Sequence, residues 1–475
     1  MKCYIMLPFS GKKSGMCQFM PGVIMSADSL FGDKVFNRKL FLTALPIAFQ
    51  NLMVAMVAAA DAFMLGRVDQ NAMAAVSLAT QIQFVQHCFI GALAGGVGIM
   101  GAQYWGKGDI PVLEKIFGLS VRECSLISVC FFAGCFFIPE TLMKFFASDP
   151  LLISYGAEYL RVASWSYILF GFSQCYLAVM RISDHVDSSA FITSGAVILN
   201  IIFNAVFIFG LCGAPAMGIK GAAFATVLAR GIELTACVIL SLRKDFIRLR
   251  LRAVLSFEKI LVADFWRYTL PLVGAYLLWS VGFTSYTAII GHMGRDAAAA
   301  NAVAAVVRDL MCCLCNGLAA GSAILIGNEL GAGNLGKGKL YGKRSTVFSF
   351  IAGGAAMLAI LGALPVVSAM VKLTPQAHEY LVGMFIILSV YMVGRCVCTV
   401  VINGVFSAGG DTLFDVYSLV VCMWGIALPC AFFGAFYWGF PVLLVYACTC
   451  LDEVGKIPWV MHHYTKYKWV RDITR

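Results

Sequence analysis

Residues Leu45 to Asp109 align with Leu270 to Asn334 at a constant offset of 225 residues and without a gap. About fifteen of roughly sixty-five positions are identical, around twice what chance gives between two apolar stretches. The identities include Pro46/Pro271, Gly66/Gly291, Gly96/Gly321, Gly106/Gly331 and Gly108/Gly333. Glycine and proline mark backbone constraints, so shared positions for them imply a shared backbone path. The chain must therefore build one structural unit twice.

Both copies lie in long apolar segments. Hydrophobic residues make up 60% of the chain and charged ones 13%, with a mean hydropathy of +0.85. About 20 apolar residues cross a bilayer as a helix. Twelve such segments are readable, near 40–65, 72–99, 115–137, 157–180, 190–211, 218–242, 268–292, 298–327, 344–371, 379–405, 413–437 and 440–463. They are too long, and too little alternating, for a β-barrel. The expected fold is an all-α integral membrane protein of twelve transmembrane helices.

Lys and Arg set the orientation. Arg243, Lys244, Arg248, Arg250, Arg252, Lys259 and Arg267 follow segment six, and Lys337, Lys339, Lys343 and Arg344 follow segment eight. Lys456, Lys466, Lys468, Arg471 and Arg475 end the chain. Both termini are then cytoplasmic, in a plasma (inner) membrane, and the net charge of +10 is a topology signal with an attraction to anionic lipid. Segment seven repeats segment one after six spans, an even number. The halves insert in the same direction, related by a pseudo-two-fold axis along the membrane normal, which is a common build of transporters. The expected organisation is a tail over 1–38, a six-helix lobe over 39–242, a basic linker over 243–267, a second six-helix lobe over 268–463 and a tail over 464–475.

Other classes find little support. The basic residues hug membrane ends, which argues against nucleic acid. Most of the 18 cysteines fall within spans, where Cys acts as a small hydrophobe. Cys312 and Cys315 form a CxxC without a second pair, so no metal is expected. Residues 1–30 lack an apolar core followed by a cleavage site, and Met25 is an alternative start. No HExxH, phosphate loop or nucleophile motif points to an enzyme, a cofactor or ATP. A receptor would not need duplicated halves.

The repeated unit carries a recognisable pattern. Pro46 opens segment one, and Asp61 precedes Met64-Leu65-Gly66. Ala74-Ala75-Val76 starts segment two and Ala102-Gln103-Tyr104-Trp105-Gly106-Lys107-Gly108-Asp109 ends it. Gly327-Asn328-Glu329-Leu330-Gly331-Ala332-Gly333-Asn334 repeats that ending, and Gly409-Gly410-Asp411-Thr412 joins segments ten and eleven. From about residue 38 onward the chain resembles bacterial members of the multidrug and toxic compound extrusion (MATE) family. The resemblance implies two six-helix lobes in a V around a cavity. It implies export of small, amphipathic, often cationic compounds against inward H+ or Na+; a monomer is expected. Twelve spans favour the drug exporters over the related flippases for lipid-linked precursors, the alternative reading.

An ionisable group within a span needs a reason. Asp61 lies in the outer half of segment one, and Arg67 is off its helical face. Asn200 and Asn204 share a face of segment five, with Asn204 at a depth similar to Asp61. A carboxylate with two amides can hold a proton or coordinate sodium. The resemblance also implies a cation site formed by a segment-one Asp and polar residues of segment five. The alternative is packing, since amides commonly join spans. A proton on Asp61 would neutralise it and let segment one repack, with Pro46 as a hinge candidate. Only the charged carboxylate would attract a cationic substrate, so proton and substrate would exclude each other.

Some sodium-coupled relatives carry a Glu in segment seven and an Asp in segment ten. Here Pro271 to Tyr286 holds no acid, and segment ten carries Arg395. The second lobe offers Arg308 and Asp309, neighbours that point about 100° apart and so each seek a partner elsewhere, Arg395 among them. Their role is either a buried ion network or a part in coupling or substrate contact. Gln83, Gln86 and His87 form an expected polar stripe toward a cavity. Arg230 and Glu233 read as a self-neutralising pair, and Asp452, Glu453 and Lys456 as groups that snorkel at the inner end of segment twelve.

Overall fold

The computed structural model describes residues 33–474 apart from 67–69, 148 and 372, without the side chains of 57–59, 61–63, 66, 70 and 251. Eleven helices among them are long and apolar enough to cross a membrane. They are α1 (Lys34–Gly66), α2 (Gln70–Lys107), α3 (Ile110–Phe137), α4 (Pro150–Ile182), α5 (Val186–Phe209), α6 (Gly218–Ser241), α7 (Lys259–His292), α8 (Arg295–Gly331), α9 (Leu335–Met370), α10 (Pro375–Thr399, continued by Val400–Phe406) and α11 (Leu413–Phe436). The twelfth segment is broken into Val442–Thr449, Leu451–Val454 and Ile457–Thr465, with buried charges at the breaks. The helices run on through Pro46 and Pro271.

The repeated glycines have a common physical cause. Gly108 and Gly333 both sit at φ +79°, the left-handed region that favours glycine. The N–H groups of Gly108 and Asp109 bond the carbonyls of Trp105 and Tyr104, and those of Gly333 and Asn334 bond Leu330 and Glu329 in the same way. This turn closes α2 and α8 by the same C-terminal motif. Asp109 also caps α3, its carboxylate accepting from the Val112 N–H at 3.3 Å.

Two compact units result, Phe49–Val273 and the chain through Ala48 together with Gly274–Arg475. The boundaries fall inside α1 and α7, two residues past Pro46 and Pro271. Each unit thus takes the first part of one long helix from the other half of the sequence. In the second unit, α8 approaches the start of α1 so closely that a Cβ on Gly317 would lie 2.6 Å from the Ala44 carbonyl oxygen. In the first unit, a Cβ on Gly96 would overlap the Thr269 hydroxyl of α7. Gly321, the repeat-mate of Gly96, faces Ala44, the repeat-mate of Thr269. Small residues here let helix backbones approach. Gly317→Val is expected to lower stability by about 1–3 kcal/mol. Gly354→Val, where a Cβ meets nothing within 4 Å, serves as the control. Thermal unfolding in detergent checks this, and equal midpoints for both would contradict it.

The first unit's core gathers Leu65, Val76, Ala79, Tyr159, Leu160, Tyr167 and Ile208. The second unit has a core at one end built on Phe36, Leu40, Phe348, Phe406, Tyr464 and Trp469. Here Arg471 donates to the carbonyls of Gly409 and Gly410 at 2.6 and 2.7 Å. His463 and Asp411 pair at 2.7 Å. The Asp33 carboxyl accepts from the Phe36 N–H and pairs with Arg344 at 2.5 Å. The backbone amide first, and then Arg344, hold it below the usual carboxylate range. Two π-helical stretches, Val400–Phe406 and Leu419–Ala427, flank the Gly409–Thr412 turn; such stretches often occur at functional sites.

Candidate functional site

A pocket of about 270 Å³ opens within the first unit, between α1, α2, α4, α5 and α6. Val54 and Leu65 of α1, Val76 and Phe84 of α2, and Val197 of α5 supply apolar wall. Ser77, Thr80, Gln83, His87, Tyr159, Asn200, Thr226 and Arg230 supply polar groups. Asn204 donates to the Asn200 amide oxygen at 3.1 Å, Asn200 to the Thr226 hydroxyl at 3.3 Å, and Thr226 to the Ala222 carbonyl at 3.1 Å. This chain of hydrogen bonds runs from buried Asn204 to the pocket wall, where Asn200 and Thr226 lie. The i,i+4 spacing of the two asparagines made the first link legible; Thr226 carried no comparable signal. Asp61 lies in α1, but its side chain is outside the described residues.

The expected stripe on α2 divides. Gln83 and His87 line the pocket, and His87 stacks on Phe170 with ring centroids 4.1 Å apart. Gln86 does not face it. Its amide donates to the Tyr167 carbonyl at 2.9 Å and is fully buried between helices. Residues three apart share a helix face only broadly, and here the face boundary falls between Gln86 and His87. Arg230 pairs with Glu233 at 2.5 Å, as the spacing suggests, yet Arg230 also lines the pocket.

The second unit differs more from expectation. Arg308 and Asp309 do pair, at 3.0 Å, because the long Arg side chain folds back to reach its neighbour. The guanidinium also stacks 4.2 Å over Phe283, while Asp309 is exposed. Arg395 is not the partner of Asp309. It pairs with Glu453 Oε1 at 2.5 Å, and Lys456 sits 2.8 Å from the other carboxylate oxygen. Asp452, Glu453 and Lys456 are 4%, 1% and 4% exposed, so they do not snorkel. Breaks in the twelfth helix turn them inward toward Arg395. Beside them a cavity of about 30 Å³ is lined by Tyr286, Asn301, Arg308, Tyr391, Thr449 and Asp452. Tyr286 is the repeat-mate of Asp61. Among the described residues no group of His, Cys, Asp or Glu could hold a metal ion.

A duplicated bundle of membrane-spanning helices, with polar groups lining a pocket among the spans of each unit, is the build of a multi-pass membrane transporter. The family model for MatE matches residues 46–206 and 271–433, one match per repeat. The chain belongs to this family, the MATE efflux transporters. It is 24% identical to an uncharacterized transporter, YisQ, of Bacillus subtilis, over 89% of this chain and 92% of the relative. It is also 24% identical to a probable multidrug resistance protein, NorM, of Mesorhizobium japonicum, over 84% of this chain and 86% of the relative. A mutant of the Vibrio cholerae MATE transporter VcmN shares the fold with a TM-score of 0.84 at 15% identity, over 93% of this chain and 99% of that one. A MOP superfamily transporter from Pyrococcus furiosus gives 0.81 at 17% identity, over 94% and 98%.

Proposed function

We propose that this chain exports small amphipathic cations across the cytoplasmic membrane by alternating-access antiport with H+ or Na+. Asp61, Asn200 and Asn204 form the coupling group. The observation that carries this reading is the hydrogen-bonded path from Asn204 through Asn200 to the pocket wall. Val54 and Leu65 of α1 line that pocket. Asp61 belongs to the same helix, between Val54 and Leu65 in the sequence. A carboxylate there has two states. Charged, it attracts a cationic substrate; neutralised by a proton or occupied by sodium, it releases one. Binding that differs between two conformations is what drives transport, since a ligand shifts an equilibrium only by its differential affinity. The protein works as a monomer with both termini cytoplasmic, consistent with the basic inner loops.

Purified protein in liposomes loaded with ethidium tests this. A proton gradient and a sodium gradient are imposed separately. Efflux driven by one of them, and absent from protein-free liposomes, is the expected result and names the ion. No gradient-dependent movement, from protein shown to be folded, would overturn cation export and favour a lipid-linked precursor as cargo.

A further inference from the structure

Between α6 and α7 the chain is fastened to the first unit at several points. Nε2 of His185 donates to the Asp245 carbonyl at 3.0 Å, and the His185 ring stacks on Phe246 with centroids 3.9 Å apart. Arg248 donates to the Leu242 carbonyl at 2.7 Å. The short helix Leu251–Leu255 lies so close to α3 that a Cβ on Gly118 would overlap the Ala253 backbone. Two residues of α3 pair with this segment, Glu114 with Arg250 at 3.2 Å and Lys115 with Glu258 at 2.5 Å. A third, Arg122, donates to the Ser256 carbonyl at 3.4 Å and stacks 5.2 Å over Phe257.

This fastening buries Ile247 and Ala253 but leaves Leu242, Leu255, Phe257 and Ile260 between 62% and 74% exposed. Interleaved with them are Arg243, Lys244, Arg252 and Lys259, all exposed. Among the described residues none of these four cations has a carboxylate partner. Single exposed apolar side chains are ordinary, but a run of them among unpaired cations suits neither water nor hydrocarbon. The head-group boundary of a bilayer satisfies both kinds. α7 opens at Lys259 and continues into a membrane span, which places the segment at that boundary.

We propose that segment 242–260 is a docking surface for anionic phospholipids. Their phosphates meet Arg243, Lys244, Arg252 and Lys259, while Leu242, Leu255, Phe257 and Ile260 enter the upper acyl region. Charge complementarity and the apolar side chains together name the occupant: a soluble phosphate would neutralise the cations and leave the apolar groups in water. The surface is more than the general excess of basic residues at membrane ends, because Lys115 and Arg250 are taken up by carboxylates and these four are not. Fastening to α3 holds the segment before a lipid arrives, so little ordering cost falls on binding. The proposal is independent of the cargo and of the coupling ion.

Short-chain phosphatidylglycerol and phosphatidylcholine, titrated separately into the purified full-length protein in neutral detergent at low salt, test this. The rise in thermal midpoint with lipid concentration gives an apparent affinity for each. Phosphatidylglycerol is expected to act at about tenfold lower concentration. In Arg243→Gln/Lys244→Gln/Arg252→Gln/Lys259→Gln that advantage should disappear, whereas Lys466→Gln/Lys468→Gln, in another basic stretch, should keep it. Equal action of the two lipids on the unaltered protein would overturn the proposal, as would an advantage that persists in the four-residue variant. Loss of the advantage in both variants alike would mean a diffuse attraction to the whole basic surface and would also overturn it. Leu255→Ser/Ile260→Ser should weaken phosphatidylglycerol several-fold, and an unchanged affinity would contradict the apolar contact. Glycerol phosphate, the head group without chains, should give no shift at the same concentrations; a shift as large as that of the lipid would make this a site for free phosphate instead. If the four-residue variant fails to fold, Arg252→Gln/Lys259→Gln makes the same comparison. An advantage reduced several-fold supports the docking surface and an unchanged one overturns it.

Discussion

Glu453→Ala is expected to be the most destabilising single substitution in the second unit, at about 3–5 kcal/mol. The residue is 1% exposed and is the shared anion of two buried cations, Arg395 at 2.5 Å and Lys456 at 2.8 Å. Removing it leaves two positive charges in a low-dielectric interior. Asp452 is a poor substitute, because it lines the neighbouring cavity with Tyr286 and Tyr391, and adjacent helical residues point about 100° apart. The penalty comes from stranding rather than from lost attraction, so a replacement of the whole cluster distinguishes the two. Glu453→Ala with Asp452→Asn, Arg395→Met and Lys456→Met removes both buried acids and both buried cations and should recover most of the stability, since buried ion pairs replaced by uncharged groups are often close to neutral. The yield of monodisperse protein and its thermal midpoint in detergent read both effects. A single variant as stable as the unaltered protein would show that the three groups do not depend on one another.

Asp61→Asn is expected to lower gradient-driven efflux by at least ~100-fold, to the leak of protein-free liposomes. Asparagine keeps the size and most of the hydrogen bonding of a protonated aspartate but cannot change charge. The fold should survive, with elution and thermal midpoint close to the unaltered protein, and a bound cationic dye should lose its sensitivity to the driving ion. Linkage requires this: without a group whose charge differs between states, the ion has no differential affinity with which to shift the conformational equilibrium. Asn200→Leu and Asn204→Leu break the hydrogen-bonded path to the pocket and should slow efflux less than Asp61→Asn does. Efflux retained at the original rate in Asp61→Asn would move the coupling group elsewhere in the chain.

Sequence alone determined the membrane class, the helix count to within the broken twelfth segment, the duplication and the closing turns of α2 and α8. Each is a local property. Apolar length sets a span, and a glycine at φ +79° marks its turn wherever it falls. The Asn204–Asn200 contact and the Arg230–Glu233 pair were legible for the same reason, because helical spacing dictates them. Pairings across helices were not. Arg395 and Glu453 are 58 positions apart, and nothing in the order of residues distinguishes Glu453 from Asp309 as the partner. That choice followed from the breaks in the twelfth helix, which turn its charges inward. The first parts of α1 and α7 likewise join the opposite unit through close contacts at Gly317 and Gly96. Backbone approach of this kind is decided only when whole helices pack, since it depends on which small residues meet rather than on where each lies in the chain.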